Sequence, residues 1–158
     1  MTADFMPPPG YTSLTPFLCV QPAAKAIDFY TSVFGATLIE KMDGPGGTIA
    51  HAELDFGHGR LQLGDPAEAY GIRAPDRGSD TVTCSIALYC PDVDAVVDRA
   101  STAGATVREK PQDFATGDRF ASLRDPFGVR WTVMTRVEEV SAGERDRRLG
   151  EWAKENLN

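Results

Sequence analysis

The hydrophobic positions fall into two similar series, one in each half of the chain. In the first, an apolar run from Thr15 to Val20 leads through Pro22 into residues 23–34. There Ala26, Ile27, Tyr30, Val33 and Phe34 recur at helical spacing. Gly35 ends that helix, because glycine takes the left-handed cap without a Cβ penalty. In the second series, the run from Val82 to Cys90 leads through Pro91 into a helix over 92–103 that carries Val93, Val96, Val97 and Ala100. Gly104 is its stop. After each stop the pattern turns β-rich and is broken by turn residues. Asp43-Gly44-Pro45-Gly46-Gly47 and Gly57-His58-Gly59 divide the first set of strands. Asp125-Pro126-Phe127-Gly128 is the clearest hairpin turn of the second.

The two series are an internal repeat. Gly35-Ala36-Thr37-Leu38-Ile39-Glu40-Lys41 recurs 69 residues later as Gly104-Ala105-Thr106-Val107-Arg108-Glu109-Lys110, with the same elements on both sides. Each half therefore reads strand, helix, three strands. The prediction is an α+β chain with one domain over 12–140: module one at about 12–64, a linker over 65–80 and module two at about 81–137. Residues 141–158 add a helical tail. In it Ser141 and Glu144 form a capping-box pattern, and Leu149, Trp152, Ala153 and Leu157 form an apolar stripe. Such a stripe docks on its own domain or on a partner subunit.

Composition narrows the class of function. The chain has 158 residues, with 16 Lys and Arg against 23 Asp and Glu, for a net charge of −7. No basic run exists to neutralise a phosphate backbone, which argues against nucleic acid. No stretch approaches the length of a membrane span, and the first residues lack the basic and apolar regions of a signal peptide. The three cysteines, Cys19, Cys84 and Cys90, lie in apolar runs without metal-type spacing. They fit reduced thiols and a cytoplasmic location.

Two βαβββ units in tandem resemble the vicinal oxygen chelate superfamily of glyoxalase I, bleomycin-resistance proteins, fosfomycin-resistance enzymes and extradiol dioxygenases. The resemblance rests on Ala26-Ile27-Asp28-Phe29-Tyr30 with Val33-Phe34-Gly35, and on Asp125-Pro126-Phe127-Gly128. His51-Ala52-Glu53-Leu54 and Gly117-Asp118-Arg119-Phe120 look like the PhnB-like branch. The resemblance implies a curled mixed sheet around a cleft, and a homodimer, in some members with modules exchanged between chains. It also implies four divalent-metal ligand positions, on the first and last strand of each module.

Counted from the helix stops and hairpin turns, those positions read Thr15, Gln62, Ser85 and Thr132. Neutral hydroxyls are poor ligands, and one glutamine oxygen does not hold a transition metal by itself. A slip of one residue brings in Cys84 or Trp131 and still rebuilds no site. The expectation is a protein with no metal and no other cofactor, which disfavours glyoxalase I, extradiol dioxygenase and metal-dependent fosfomycin-transferase activity. With Thr15 facing inward, strand alternation brings Phe17, Cys19, Arg60, Gln62, Thr83, Ser85, Ala87, Tyr89, Thr132 and Met134 to the cleft. Leu18 and Val20 then pack under the helix. Such a wall suits a flat or partly apolar small molecule, or else fills a closed sheet interface.

Other residues leave alternatives open. His51, Glu53 and Asp55 share one face of the third strand, as a base with an acid partner, a displaced metal half-site or a solvent-facing sheet edge. Of two histidines, His58 falls in an exposed Gly-His-Gly turn, leaving His51 as the only candidate imidazole for catalysis. Arg119 either reaches an anionic ligand group or pairs with an acidic neighbour. The segment Asp43–Thr48 lacks the Gly-Lys-Ser/Thr ending and the following helix of a phosphate loop. The leading expectation is a metal-independent protein that binds a small organic molecule in a resistance or sequestration role. Its rivals are a metal-free isomerase or lyase moving a proton through His51 or Glu53, and a partner-binding dimer without a ligand.

Overall fold

The computed structural model describes residues 6–157. The chain divides into two compact units after Thr81, and each repeats the same order of elements. In the first unit β1 (Phe17–Cys19) is followed by α1 (Ala23–Phe34), β2 (Thr37–Asp43), β3 (Ile49–Asp55) and β4 (Arg60–Gly64). In the second, β5 (Ser85–Tyr89) is followed by α2 (Val93–Thr102), β6 (Thr106–Asp113), β7 (Asp118–Arg124) and β8 (Arg130–Arg136), and α3 (Ala142–Asn156) closes the chain. Two βαβββ modules are what the repeat predicts, and the C-terminal helix is what the pattern of the tail predicts.

Each module is an open four-stranded mixed sheet. The orders are β1-β4-β3-β2 and β5-β8-β7-β6. The first strand runs parallel to the last in each sheet, and the other pairs are antiparallel. Alternation decides what each face carries. In module one Leu18, Ala52, Leu54, Leu61 and Leu63 are buried, as are Ala26, Ile27, Tyr30 and Val33 of α1. In module two Ala121, Leu123, Trp131 and Val133 are buried with Val93, Val96, Val97 and Ala100 of α2. The other face carries Phe17, His51, Glu53, Arg60 and Gln62 in module one, and Ser85, Tyr89, Thr132 and Met134 in module two.

Local chemistry fixes the ends of these elements. Gly35 caps α1 at φ 74°, and its N–H reaches back to the Tyr30 carbonyl. At the start of α1, Pro22 offers no side-chain cap, and Asp65 supplies one from across the module. Its carboxylate accepts from Ala23 N at 3.1 Å and from Ile49 N at 2.8 Å. Asp65, placed in the linker from sequence, thus ties module one together. Thr135 takes the same role in module two, where its hydroxyl accepts from Val93 N at 2.9 Å. Asp65→Ala leaves two amide donors without that partner and is expected to lower stability by about 1–2 kcal/mol, as loss of a cap does. Urea denaturation checks this; an unchanged midpoint and slope would refute it.

Two strand starts differ from the sequence reading. β1 begins at Phe17 and β5 at Ser85, so Thr15 and Thr83 precede their strands. The chain before β1 is held by other means, since Gln62 N donates to the Pro16 carbonyl at 2.9 Å. The tail helix starts where expected, with Ser141 accepting from Glu144 N at 3.3 Å. Glu144 does not return the bond; its carboxylate is taken by Arg147 and Arg148. Trp152 packs edge-on against Phe114, with centroids 5.5 Å apart, so this residue of the stripe meets its own unit, while Leu157 at the end of the stripe is exposed.

Candidate functional site

The polar face of the module-one sheet gathers five of the expected residues. Register places Phe17 beside Gln62, Gln62 beside Glu53, and Glu53 beside Glu40. His51 lies two residues from Glu53 on the same face of β3, opposite Met42, and its ring centroid is 6.1 Å from that of Phe17. Arg60 completes the face from β4. β3 is an interior strand, hydrogen-bonded on both sides. The reading of His51 and Glu53 as a solvent-facing edge is therefore corrected: Glu53 is only 1% exposed.

A buried carboxylate needs partners, and Glu53 has them. Arg60 Nη1 donates to its Oε1. Its Oε2 accepts from the Tyr11 hydroxyl at 2.5 Å and from Gln62 Nε2 at 3.3 Å. Burial alone would raise the Glu53 carboxyl, but the bonds from Tyr11, Gln62 and Arg60 outweigh it and hold it below the ordinary carboxylate range. The bond to Glu53, reinforced by burial, raises the Tyr11 phenol. Burial would lower the Arg60 guanidinium, and Glu53 and Tyr11 more than reverse that. Arg60 also lies 4.4 Å over the Tyr11 ring, a cation–π contact. Glu53 is thus a fixed anion whose charge Arg60 balances.

Tyr11 is a site residue that the sequence reading missed. It follows Pro7-Pro8-Pro9-Gly10, and Gly10 adopts φ +86° with Arg60 directly behind it. A Cβ at Gly10 would meet Arg60 Nη2 at 2.5 Å, so the glycine permits this close approach. A stiff proline run ending in Gly-Tyr is the signal available in the sequence. What it docks on is not. Glu40 was also missed, although the repeat contains it; its Oε1 lies 3.9 Å from His51 Nε2.

The other expected residues lie on module two or before β1. Thr15 is half-buried ahead of β1. Ser85 and Tyr89 are exposed on β5, while Thr132 and Met134 are half-buried on β8. Ser122, paired with Thr132 as Glu53 is with Gln62, is buried at the position equivalent to Glu53. Arg119 faces elsewhere. It shares parity with Ala121 and Leu123 on the side of the sheet covered by α2, and forks onto Asp94 with bonds of 2.7 and 2.9 Å. Asp113 accepts its third bond at 3.0 Å. Of the two readings of Arg119, the acidic neighbour is the one seen.

The residues at the four expected positions, Thr15 and Gln62 in one unit and Ser85 and Thr132 in the other, are poor donors for a divalent ion. Three are neutral hydroxyls, and the fourth offers a single amide oxygen. Glu40, His51 and Glu53 offer a different set, with one ligand atom from each lying within 4.8 Å of the others. The cysteines are free, and burial pushes the Cys19 and Cys90 thiols up, which keeps them protonated. No helix among the described residues is long and apolar enough to cross a membrane.

Two tandem βαβββ modules, each with an open sheet and a polar face opposite its helix, define the vicinal oxygen chelate class of fold. The chain belongs to the glyoxalase/bleomycin resistance protein/dioxygenase superfamily, whose family model matches residues 12–133. It is 37% identical over 134 residues to the uncharacterized protein Rv0887c of Mycobacterium tuberculosis, across 84% of this chain and 79% of that one. Among solved structures it is similar to TioX from Micromonospora sp. ML1, with 27% identity and a TM-score of 0.62 over 79% of this chain and 98% of that one. It also shares the fold of a Bacillus cereus structure described as a PhnB protein, with 19% identity and a TM-score of 0.60 over 78% of this chain and 99% of that one.

Proposed function

We propose that the chain binds a small organic molecule on the polar face of its sheets, with no ion at Thr15, Gln62, Ser85 or Thr132, in a sequestering or protective role. The Tyr11–Glu53–Arg60–Gln62 network carries this reading. It gives module one a rigid, charge-balanced floor beside the exposed ring of Phe17 and the imidazole of His51. Preorganised polar groups next to an aromatic surface are what a small-molecule site requires. The equivalent face of module two offers Ser85, Tyr89, Thr132 and Met134. Within the superfamily we place the chain in the PhnB-like branch, on His51-Ala52-Glu53-Leu54 and Gly117-Asp118-Arg119-Phe120, and as a cytoplasmic homodimer.

A thermal-shift screen of hydrophobic and cationic drugs and metabolites, run in chelator, tests this reading. A ligand at one hundred times its Kd stabilises by about 2.7 kcal/mol, an upward shift of about 5–11 °C for a chain of this size. Phe17→Ala is expected to abolish the shift. A screen without a stabilising ligand refutes the reading, and a light-scattering mass equal to the 17.1 kDa of one chain refutes the dimer.

One observation favours a second reading as a metal-free isomerase or lyase: the 3.9 Å approach of His51 Nε2 to Glu40 Oε1. In that reading His51 moves the proton and Glu40 orients it. Glu53, held ionised by three donors, is a poor proton carrier. A His51→Ala variant with undiminished turnover would sink it.

A further inference from the structure

We propose that Glu40, His51 and Glu53 form a divalent transition-metal site on module one, displaced from the four positions that the family uses. The argument starts with register. Glu40 of β2 lies directly across from Glu53 of β3, and His51 is two residues along β3, so all three side chains leave the same sheet face. One ligand atom from each lies within 4.8 Å of the others. One imidazole nitrogen and two carboxylate oxygens are a donor set that suits zinc and its neighbours.

The two carboxylates divide the task. Glu53 is buried and held in place, with Tyr11, Gln62 and Arg60 donating to it. A carboxylate has about four lone-pair sites, so three donors leave one for an ion. Hydrogen bonds from behind are how ligating carboxylates are oriented in metal sites generally. Glu40 supplies the adjustable member. Its side chain is 67% exposed, and rotation of its outer bonds draws its oxygen toward an ion at about 2.0–2.2 Å. Three protein ligands leave a coordination position for water or for an oxygen of a bound molecule. The Arg60 charge behind Glu53 weakens the attraction, which makes this an exchangeable site and not a structural one.

The proposal does not rest on organic-ligand binding, and its test is separate. Tag-free protein, stripped with chelator and exchanged into chelator-free buffer, is titrated with Zn2+ by calorimetry. A separate metal-free sample is titrated with Co2+, and its visible absorption is followed. One ion per chain is expected, with a Co2+ spectrum of nitrogen and oxygen ligands at low coordination number. His51→Ala and Glu40→Gln, changes at half-buried and exposed positions, should each weaken Zn2+ at least tenfold and abolish the Co2+ spectrum. His58→Ala, in the turn between β3 and β4, should leave both unchanged. No saturable binding would overturn the proposal. So would binding that survives both His51→Ala and Glu40→Gln, or that is lost with His58.

Discussion

Arg60→Met is expected to destabilise the protein at neutral pH, because removing one partner of an ion pair strands the other as an unpaired buried charge. The reason lies in an asymmetry between the partners. The Glu53 side chain is 2% exposed and that of Arg60 16%. Without Arg60, the carboxylate stays in place with only the neutral donors Tyr11 and Gln62. The pH dependence carries the signature. In the native protein the Glu53 carboxyl is held below its ordinary value, so its contribution is present above that value and fades as pH falls through the lowered one. In Arg60→Met the carboxyl rises, and protonation relieves the unpaired charge. The stability gap between the two proteins is therefore widest near neutrality and closes toward acid pH. Urea midpoints measured from pH 7 downward check this. A gap independent of pH would mean that Arg60 acts by packing alone.

Asp125→Ala is expected to cost module two about 3 kcal/mol or more, since a buried acceptor is lost to several donors at once. Asp125 is 4% exposed at the turn between β7 and β8. Its Oδ1 accepts from Phe127 N and Val129 N, both at 2.9 Å, and its Oδ2 from Trp131 Nε1 at 3.0 Å. Trp131 is among the largest fully buried side chains, so an unsatisfied indole N–H there has no access to water. Asp125→Asn keeps one acceptor oxygen and should lose less than Asp125→Ala. Denaturation followed by tryptophan fluorescence compares them. Equal losses would show that the acceptor geometry is immaterial.

The fold was largely legible in the sequence because its determinants are local and occur twice. Helical spacing ending at Gly35 and Gly104, and the Asp125–Gly128 turn, are each set by neighbours in the chain. The candidate site was legible only in part. His51 and Glu53 were found by alternation and Gln62 by counting from the turns, and both assign faces but not partners. Arg119 shows the limit: whether its fork meets a ligand or an acid depends on where Asp94 and Asp113 fall, and only the packed sheet decides that. Asp65 shows it again, since nothing near it in sequence says that it caps a helix 42 residues earlier.

By itself the sequence determined two tandem βαβββ modules, a tail helix and an acidic chain. Periodicity and turn chemistry act over a few residues, and they can be read without a partner strand. Tertiary structure decided that β3 is an interior strand, that Glu53 is buried, and that Tyr11 and Arg60 balance it. It also brought Glu40 to His51. These are contacts between residues far apart in the chain, and burial is a property of everything packed around a group. The charge of Glu53 was written in the sequence; its environment had to be built.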